Sequence, residues 1–279
     1  MIVTPHNFKI KLKDGQIYDM ANDLGIIVNS FIPEYPEFTT AYQERPKHGL
    51  LDYGSRYDQR NIKTRMTIVG TNQNETEVSR QYLFSVLNTL ESFEIYADKS
   101  PGKVYSNCKL ASPIKYTEES GATFTLDLDF IDSNPFVLSI YDTLTPMSDT
   151  DKWPVGMGID LSLNPTYIHS VNTFSIYNFG HEEINPRIDD LLIEYKGAAS
   201  NPLVIENIST GDKFQYNGTV GSTTSIKLDK LRVTKSGLSV YGNTNRKAIN
   251  LRKGENKFNL TGTTNPFTIE FKFRLKYLA

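Results

Sequence analysis

Two carboxylates separated by one residue, Asp127 and Asp129, are the pair in this chain whose spacing best suits acid–base work. On an extended strand they share a face, with backbones about 6.6 Å apart. Glycosidases use carboxylate pairs separated by roughly 5 to 9.5 Å. Any D-x-D on a strand meets that condition, however, and no flanking residues form an apolar pocket that would raise one pKa. The pair reads as a solvated or interface-facing acidic stripe, with a β-sandwich glycosidase as the competing reading. His6, His48, His169 and His181 occur singly, without the HxH or HExxH spacing that brings two imidazoles to one metal. Cys108 is the single cysteine, so neither an intrachain disulfide nor a cysteine metal site can form, which fits a protein made in a reducing cytosol. Its flanks, Val104 and Leu110, mark it as a strand thiol turned towards a core. The sequence contains no G-x-S-x-G elbow and no phosphate-binding glycine loop. Catalytic, metal and cofactor residues are therefore assigned as none, and the chain is not expected to be an enzyme.

Two sets of residues have the chemistry to bind a partner. Lys272, Arg274 and Lys276 alternate along the final strand as a basic stripe, which could face an acidic partner or act as gatekeeping charge on a sheet edge. Trp153, Tyr167 and Tyr177 could stack on sugar rings, or pack as core at a domain junction.

The elements that must position these residues are mostly strands. In the C-terminal run, Phe267, Ile269, Phe271, Phe273, Leu275 and Tyr277 alternate with Thr268, Glu270, Lys272, Arg274 and Lys276, the period of a half-buried strand. Phe124, Leu126, Leu128 and Phe130 repeat the pattern, and Ile62, Met66 and Ile68 repeat it within 60–69. Turn residues recur at Asp14–Gly15, Lys253–Gly254 and Asn265–Pro266. One stretch has helical spacing: Tyr82, Leu83, Val86, Leu87 and Leu90 predict an amphipathic helix over 75–90, with Asn72 and Glu75 resembling a capping box. Residues 31–57 read as irregular.

Length and charge set the organisation. A chain of 279 residues exceeds the usual single domain, and the Pro-, Gly-, Ser- and Asp-rich stretch 141–158 predicts a linker between domains at 1–140 and 159–279. The net charge of −2 gives no overall field for nucleic acid or a membrane surface. Locally the balance differs: 1–140 carries 14 basic and 18 acidic side chains, 141–195 carries 2 and 9, and 196–279 carries 14 and 5. Lys9, Lys11 and Lys13 interrupt the N-terminal stretch as a strand would, unlike a signal peptide. No run approaches the roughly 20 apolar residues of a membrane helix.

The run Phe124–Phe136, FTLDLDFIDSNPF, together with the helix RQYLFSVLNTL and the strand FEIYAD before it, resembles the N-terminal domain of the distal tail (Dit) proteins of long-tailed phages. In the second half, FSIYNFGHEEINP, PLVIENISTGDKFQYNG and LRKGENKFNLTG follow in an order similar to that family's C-terminal domain. The resemblance implies a mainly β fold: an N-terminal β-sandwich with one helix, then a galectin-like or carbohydrate-binding-module-like β-sandwich. It implies a hexameric ring at the virion tail tip or baseplate, with the N-terminal domains forming the ring, assembled from protein made in the bacterial host cytoplasm. Its implied partners are the tail tube protein, the tail-associated hub or lysin protein and, in some members, receptor-binding proteins, with DNA only as passing cargo and no membrane. A carbohydrate-binding role against the host cell wall is the alternative. Exposed aromatic residues in the outer domain favour that alternative, and a closed symmetric assembly favours the hub.

Overall fold

The computed structural model describes residues 6–87, 90–111, 113–120 and 122–278. The chain divides into two compact units, residues 1–138 with 278–279, and residues 139–277.

In the first unit the strands are β1 (Phe8–Lys11), β2 (Ile17–Asp19), β3 (Ile26–Pro33), β4 (Phe38–Glu44), β5 (Leu50–Tyr57) and β6 (Arg60–Val69). The helix α1 (Gln73–Leu87) follows, then β7 (Phe93–Ala97), β8 (Lys103–Leu110), β9 (Lys115–Ser120) and β10 (Thr123–Asp132). All but β4 and β5 join one antiparallel sheet in the order β2-β1-β7-β8-β10-β6-β3, with β9 also paired to β10. Its backbone is the ten-residue ladder between β10 and β6, which runs from Thr123 opposite Val69 to Asp132 opposite Arg60. Alternation works as the sequence predicts over most of both runs: Ile62, Met66 and Ile68 are buried, and so are Leu126, Leu128 and Phe130, whereas at the start of β10 Phe124 is half-buried and Thr125 is buried. The sheet curls, because rings from opposite parts of its path meet inside: Phe8 of β1 lies 5.2 Å from Phe31 of β3 and 6.0 Å from Phe130 of β10.

The helix starts two residues earlier than its spacing predicts and is capped as a modified box. Asn72 Oδ1 accepts the Glu75 amide at 3.0 Å, while Glu75 reaches back to the Thr71 amide at 2.7 Å. Leu83, Val86 and Leu87 close one side of the core. Tyr82 and Leu90, expected on the same face, are exposed instead. Residues 88 and 89 of the expected helix lie outside the described residues.

The second unit is built on two long paired strands, Leu191–Asn207 and Gly254–Phe273. Their pairing shifts register between Gly197 and Ala199 and again before Val204. Gly197 holds φ 137, and a Cβ there would meet Phe267 Cβ at 2.7 Å, so the bend requires glycine. The strands Thr173–Asn178, Ile168–His169, Asp212–Tyr216 and Ser225–Asp229 extend the sheet on either side. All six apolar positions of the C-terminal alternation, from Phe267 to Tyr277, are buried. In the N-F-G run, buried Asn178 accepts the Gly180 amide at 3.0 Å and donates to the Glu182 carbonyl at 2.8 Å, fixing the turn.

The expected linker is corrected. Met147, Trp153 and Met157 of 141–158 lie in the hydrophobic core of the second unit, and the Tyr277 hydroxyl donates to the Met157 carbonyl at 2.9 Å. Sparse periodicity here reflects a coil that inserts single large side chains into a core, a pattern that composition cannot separate from a linker. Trp153 is the only tryptophan, so fluorescence excited beyond the tyrosine absorption band reads this stretch alone. The native protein should emit at a blue-shifted maximum and resist acrylamide quenching until the second unit unfolds. Red-shifted, freely quenched emission from the folded chain would restore the linker.

Candidate assembly interface

The residues singled out for chemistry are dispersed and already engaged. Asp127 is an exposed carboxylate 2.9 Å from the Arg65 Nε directly across the β10–β6 ladder, and Asp129 stands opposite Lys63 in the same register. Both acids thus face a cross-strand cation, the arrangement of a sheet surface. Cys108 is fully buried and burial pushes its thiol well up, which leaves little reactive thiolate. The histidines sit apart: His48 lies in the exposed turn after β4, and His169 stacks 4.1 Å from the Phe174 ring. His181 packs edge-on against Tyr277, and His6 lies just before β1. Among the described residues no three His, Cys, Asp or Glu groups are placed to hold a metal.

The basic stripe is not an open edge. Nor do the three residues share the single final strand expected of them: Lys272 lies on the strand Gly254–Phe273, opposite Leu192, Arg274 follows that strand's end, and Lys276 lies on the separate short strand Lys276–Tyr277. Lys276 is buried and bonded to Asp189 at 2.9 Å, Lys272 lies 3.4 Å from Asp142, and Arg274 donates to the Ser139 carbonyl. The proposed sugar platform is likewise absorbed. Trp153 is 5% and Tyr167 3% exposed, the Tyr167 hydroxyl donates to the Tyr177 carbonyl at 2.6 Å, and Tyr177 is half-buried against Phe179.

Where the sequence reads as irregular, the structure has a hairpin. Among the described residues, strands β4 and β5 pair only with each other, as a two-stranded sheet outside the main one. This arm exposes Phe38, Tyr42, Leu50, Leu51 and Tyr53, and Tyr35 at its root. An isolated ribbon of two strands is marginal in water, and this one exposes large apolar side chains on both of its faces, Tyr42 and Leu50 on one and Leu51 and Tyr53 on the other. Each strand also has a free edge of backbone donors and acceptors, a template for pairing. The register places Tyr42 opposite Asp52 and Glu44 opposite Leu50, so these four share one face. The available signal was the turn: Pro46 and Gly49 lie between the strands, Gly49 holds φ 81, and the Arg45 amide donates to its carbonyl at 3.1 Å.

The arm's root is rigid. Arg60, buried at the start of β6, donates to the carbonyls of Glu34 at 2.8 Å, Pro135 at 2.9 Å and Leu278 at 2.6 Å. These are the chain before the arm, the chain after β10 and the returning C-terminal segment. Asp132 is Arg60's register partner, and its Oδ1 accepts the amides of Asn107 at 3.2 Å and Asn134 at 2.9 Å. Asn134 Oδ1 in turn accepts the Phe136 amide at 3.1 Å. The D-S-N-P-F run is thus two successive side-chain turns that set the Phe136 ring 5.8 Å from Tyr57, which packs 5.9 Å from Tyr35. Among the described residues, Asp132 Oδ2 and Arg60 Nε have no hydrogen-bond partner although both are buried. Burial pushes the Asp132 carboxyl up to about 6, against the pull of its backbone donors and Arg60. Burial also draws the Arg60 guanidinium down, with Tyr105, Asp132 and Tyr35 opposing.

The model of one protein family, described as the phage tail protein RIFT-related domain, matches residues 5–149, more than half of the chain. No curated protein matches. Among solved structures the fold is similar to SPP1 Dit (gp 19.1), described as a paradigm of the hub adsorption apparatus in phages infecting Gram-positive bacteria. The TM-score is 0.68 at 12% identity, over 96% of this chain and 99% of that one. At that identity the likeness establishes a shared fold. Two structures of the phage P2 baseplate in its activated conformation, with Sr and with Ca, align over 96% and 99% of this chain and 97% and 98% of theirs. Both have 13% identity and a TM-score of 0.45, too low to bear on the argument.

Asp132 gives a pH signature. Its folded value near 6 lies above the ordinary 3.8, so the stability it contributes is full below about 3.8 and is lost as pH rises through 6, a change of about 3 kcal/mol. Asp132→Asn keeps the Oδ1 acceptor and removes the titration. Denaturant unfolding from pH 4.5 to 7.5 should show the variant gaining on the wild type as pH rises; parallel curves would contradict the assignment.

Proposed function

Because the chain belongs to the phage tail proteins that carry the RIFT-related domain, we propose that it is the structural hub of a phage tail tip: a ring of six copies joining the tail tube to the tail-associated hub protein. The ring is built by the first unit. The second unit, galectin-like on this reading, stands outside it and carries receptor-binding proteins where the phage has them. DNA passes through as cargo, and the protein is made in the host cytoplasm. Its work is geometric, without catalysis.

The arm is the observation that carries this reading. A closed ring needs a heterologous interface, one patch meeting a different patch on the next copy. An apolar ribbon projecting from a rigid root supplies one half of such a pair, already oriented, so little ordering entropy is lost on assembly. Nothing comparable favours sugar binding, since Trp153 and Tyr167 are core residues.

The full chain should give rings in negative-stain images and the mass of six chains by light scattering. A variant in which a short Gly-Ser turn replaces residues 39–56, leaving Tyr57 in place, should remain monomeric with an unchanged thermal midpoint. A wild-type monomer would contradict the ring, and rings from the armless variant would place the interface elsewhere.

A further inference from the structure

The second unit has a cleft between its sheet and the loop 244–250. Leu191, Ile193 and Leu228 make an apolar floor, while Lys230 stands at one wall and Arg246 and Lys247 at the other. Among the described residues no aspartate or glutamate lines the cleft. Tyr241 borders it and is 42% exposed.

The fold fixes both walls. Ile249 anchors the loop in the core, and Asn245 ties it to the strand Asp212–Tyr216. The Asn245 amide donates to the Gln215 carbonyl at 3.0 Å, its Oδ1 accepts the Gln215 amide at 3.1 Å, and its Nδ2 donates to the Lys213 carbonyl at 2.7 Å. Asp212 Oδ2 accepts the Asn250 amide at 2.9 Å. Thr244 Oγ1 accepts the Arg246 amide at 3.1 Å, and Arg246 holds φ 58. Lys230, in the turn between Asp229 and Arg232, holds φ 55. Such left-handed positions favour glycine or asparagine, yet here both hold a cation that faces the same cleft.

These charges are largely unspent. The side chains of Arg246 and Lys247 enter none of the ion pairs or hydrogen bonds among the described residues. Lys230 lies 2.6 Å from Asp190, an exposed pair of the kind that holds weakly in water. The cleft's volume is about 20 Å³, enough for a group of one water's size and too little for the aromatic or aliphatic anchor on which protein partners depend. Its occupant is therefore compact and anionic. Phosphate meets both conditions: two of its oxygens match the guanidinium fork, and its tetrahedral shape turns the others towards a second wall, which a planar carboxylate cannot do.

We propose that this cleft binds phosphate, with Arg246 forked on two oxygens, Lys247 and Lys230 as point charges on the others, and Tyr241 against the carbon atoms that carry the group. The site goes beyond the ring reading, since it lies within one unit of one chain and needs no second copy.

Calorimetric titration of the full chain with inorganic phosphate, with a poly(glycerol phosphate) chain and with polyglutamate of equal charge tests this. A phosphate probe should bind at least about tenfold more tightly than polyglutamate, and Arg246→Gln and Lys247→Gln should each weaken it by about tenfold. Arg232→Gln removes the same charge from a residue outside the cleft and should leave binding and the thermal midpoint unchanged. Tighter binding of the chain than of inorganic phosphate identifies a polymer as the source, and equal binding identifies the free ion. Absence of binding by both phosphate probes, polyglutamate binding as tightly as either, or an equal loss in Arg232→Gln would overturn the assignment.

Discussion

The arm depends on one buried guanidinium. A charge taken out of water is stable only if dipoles or counter-charges replace the lost hydration, and Arg60 finds three carbonyls from Glu34, Pro135 and Leu278. Lysine could not replace it, because a compact ammonium lacks the planar fork that reaches diverging acceptors. The three carbonyls come from widely separated parts of the chain, so one side chain ties together the start of the arm, the end of β10 and the C-terminal segment. Asp132 completes the cluster at a cost: its carboxyl is buried with one oxygen unpartnered. The rings of Phe136, Tyr57 and Tyr35 then stiffen the root from outside. A ribbon that would be floppy alone becomes a projection with a fixed direction.

Charge in the second unit follows a different logic. Along the chain, 141–195 carries an acidic excess and 196–279 a basic one. In the fold they answer each other in part: Asp190 pairs with Lys230, Asp189 with Lys276, Glu194 with Lys196 and Lys227, and Asp142 with Lys272. Antiparallel pairing brings the strand that starts at Leu191 beside the later strands that hold the lysines. Charges segregated in sequence therefore meet in space at these four carboxylates.

These cases show what a sequence discloses. The period of two found the strands of both cores, because every alternate position from Phe267 to Tyr277 must leave water whatever the partner strand is. The helix was legible through Leu83, Val86 and Leu87, although Tyr82 shows that one apolar residue on a helical wheel does not fix the buried arc. Long-range facts were hidden. That Lys276 would be buried depended on Asp189, 87 residues away, and that Arg60 would act as a clamp depended on Leu278. The arm escaped for the opposite reason: its strands bury nothing in their own chain, so they lack the alternation by which strands are recognised. The resemblance carried by the D-S-N-P-F run proved informative because those residues make the turns that brace the arm.

Hydrogen exchange through the arm, followed from dilute to assembled protein, tests the central claim that this ribbon is half of an intersubunit contact. Amides of residues 38–57 should exchange rapidly in dilute protein, with those of β6 and β10 protected throughout, and should gain protection as assembly proceeds. An arm whose exchange is the same in the dilute and assembled states would contradict the account.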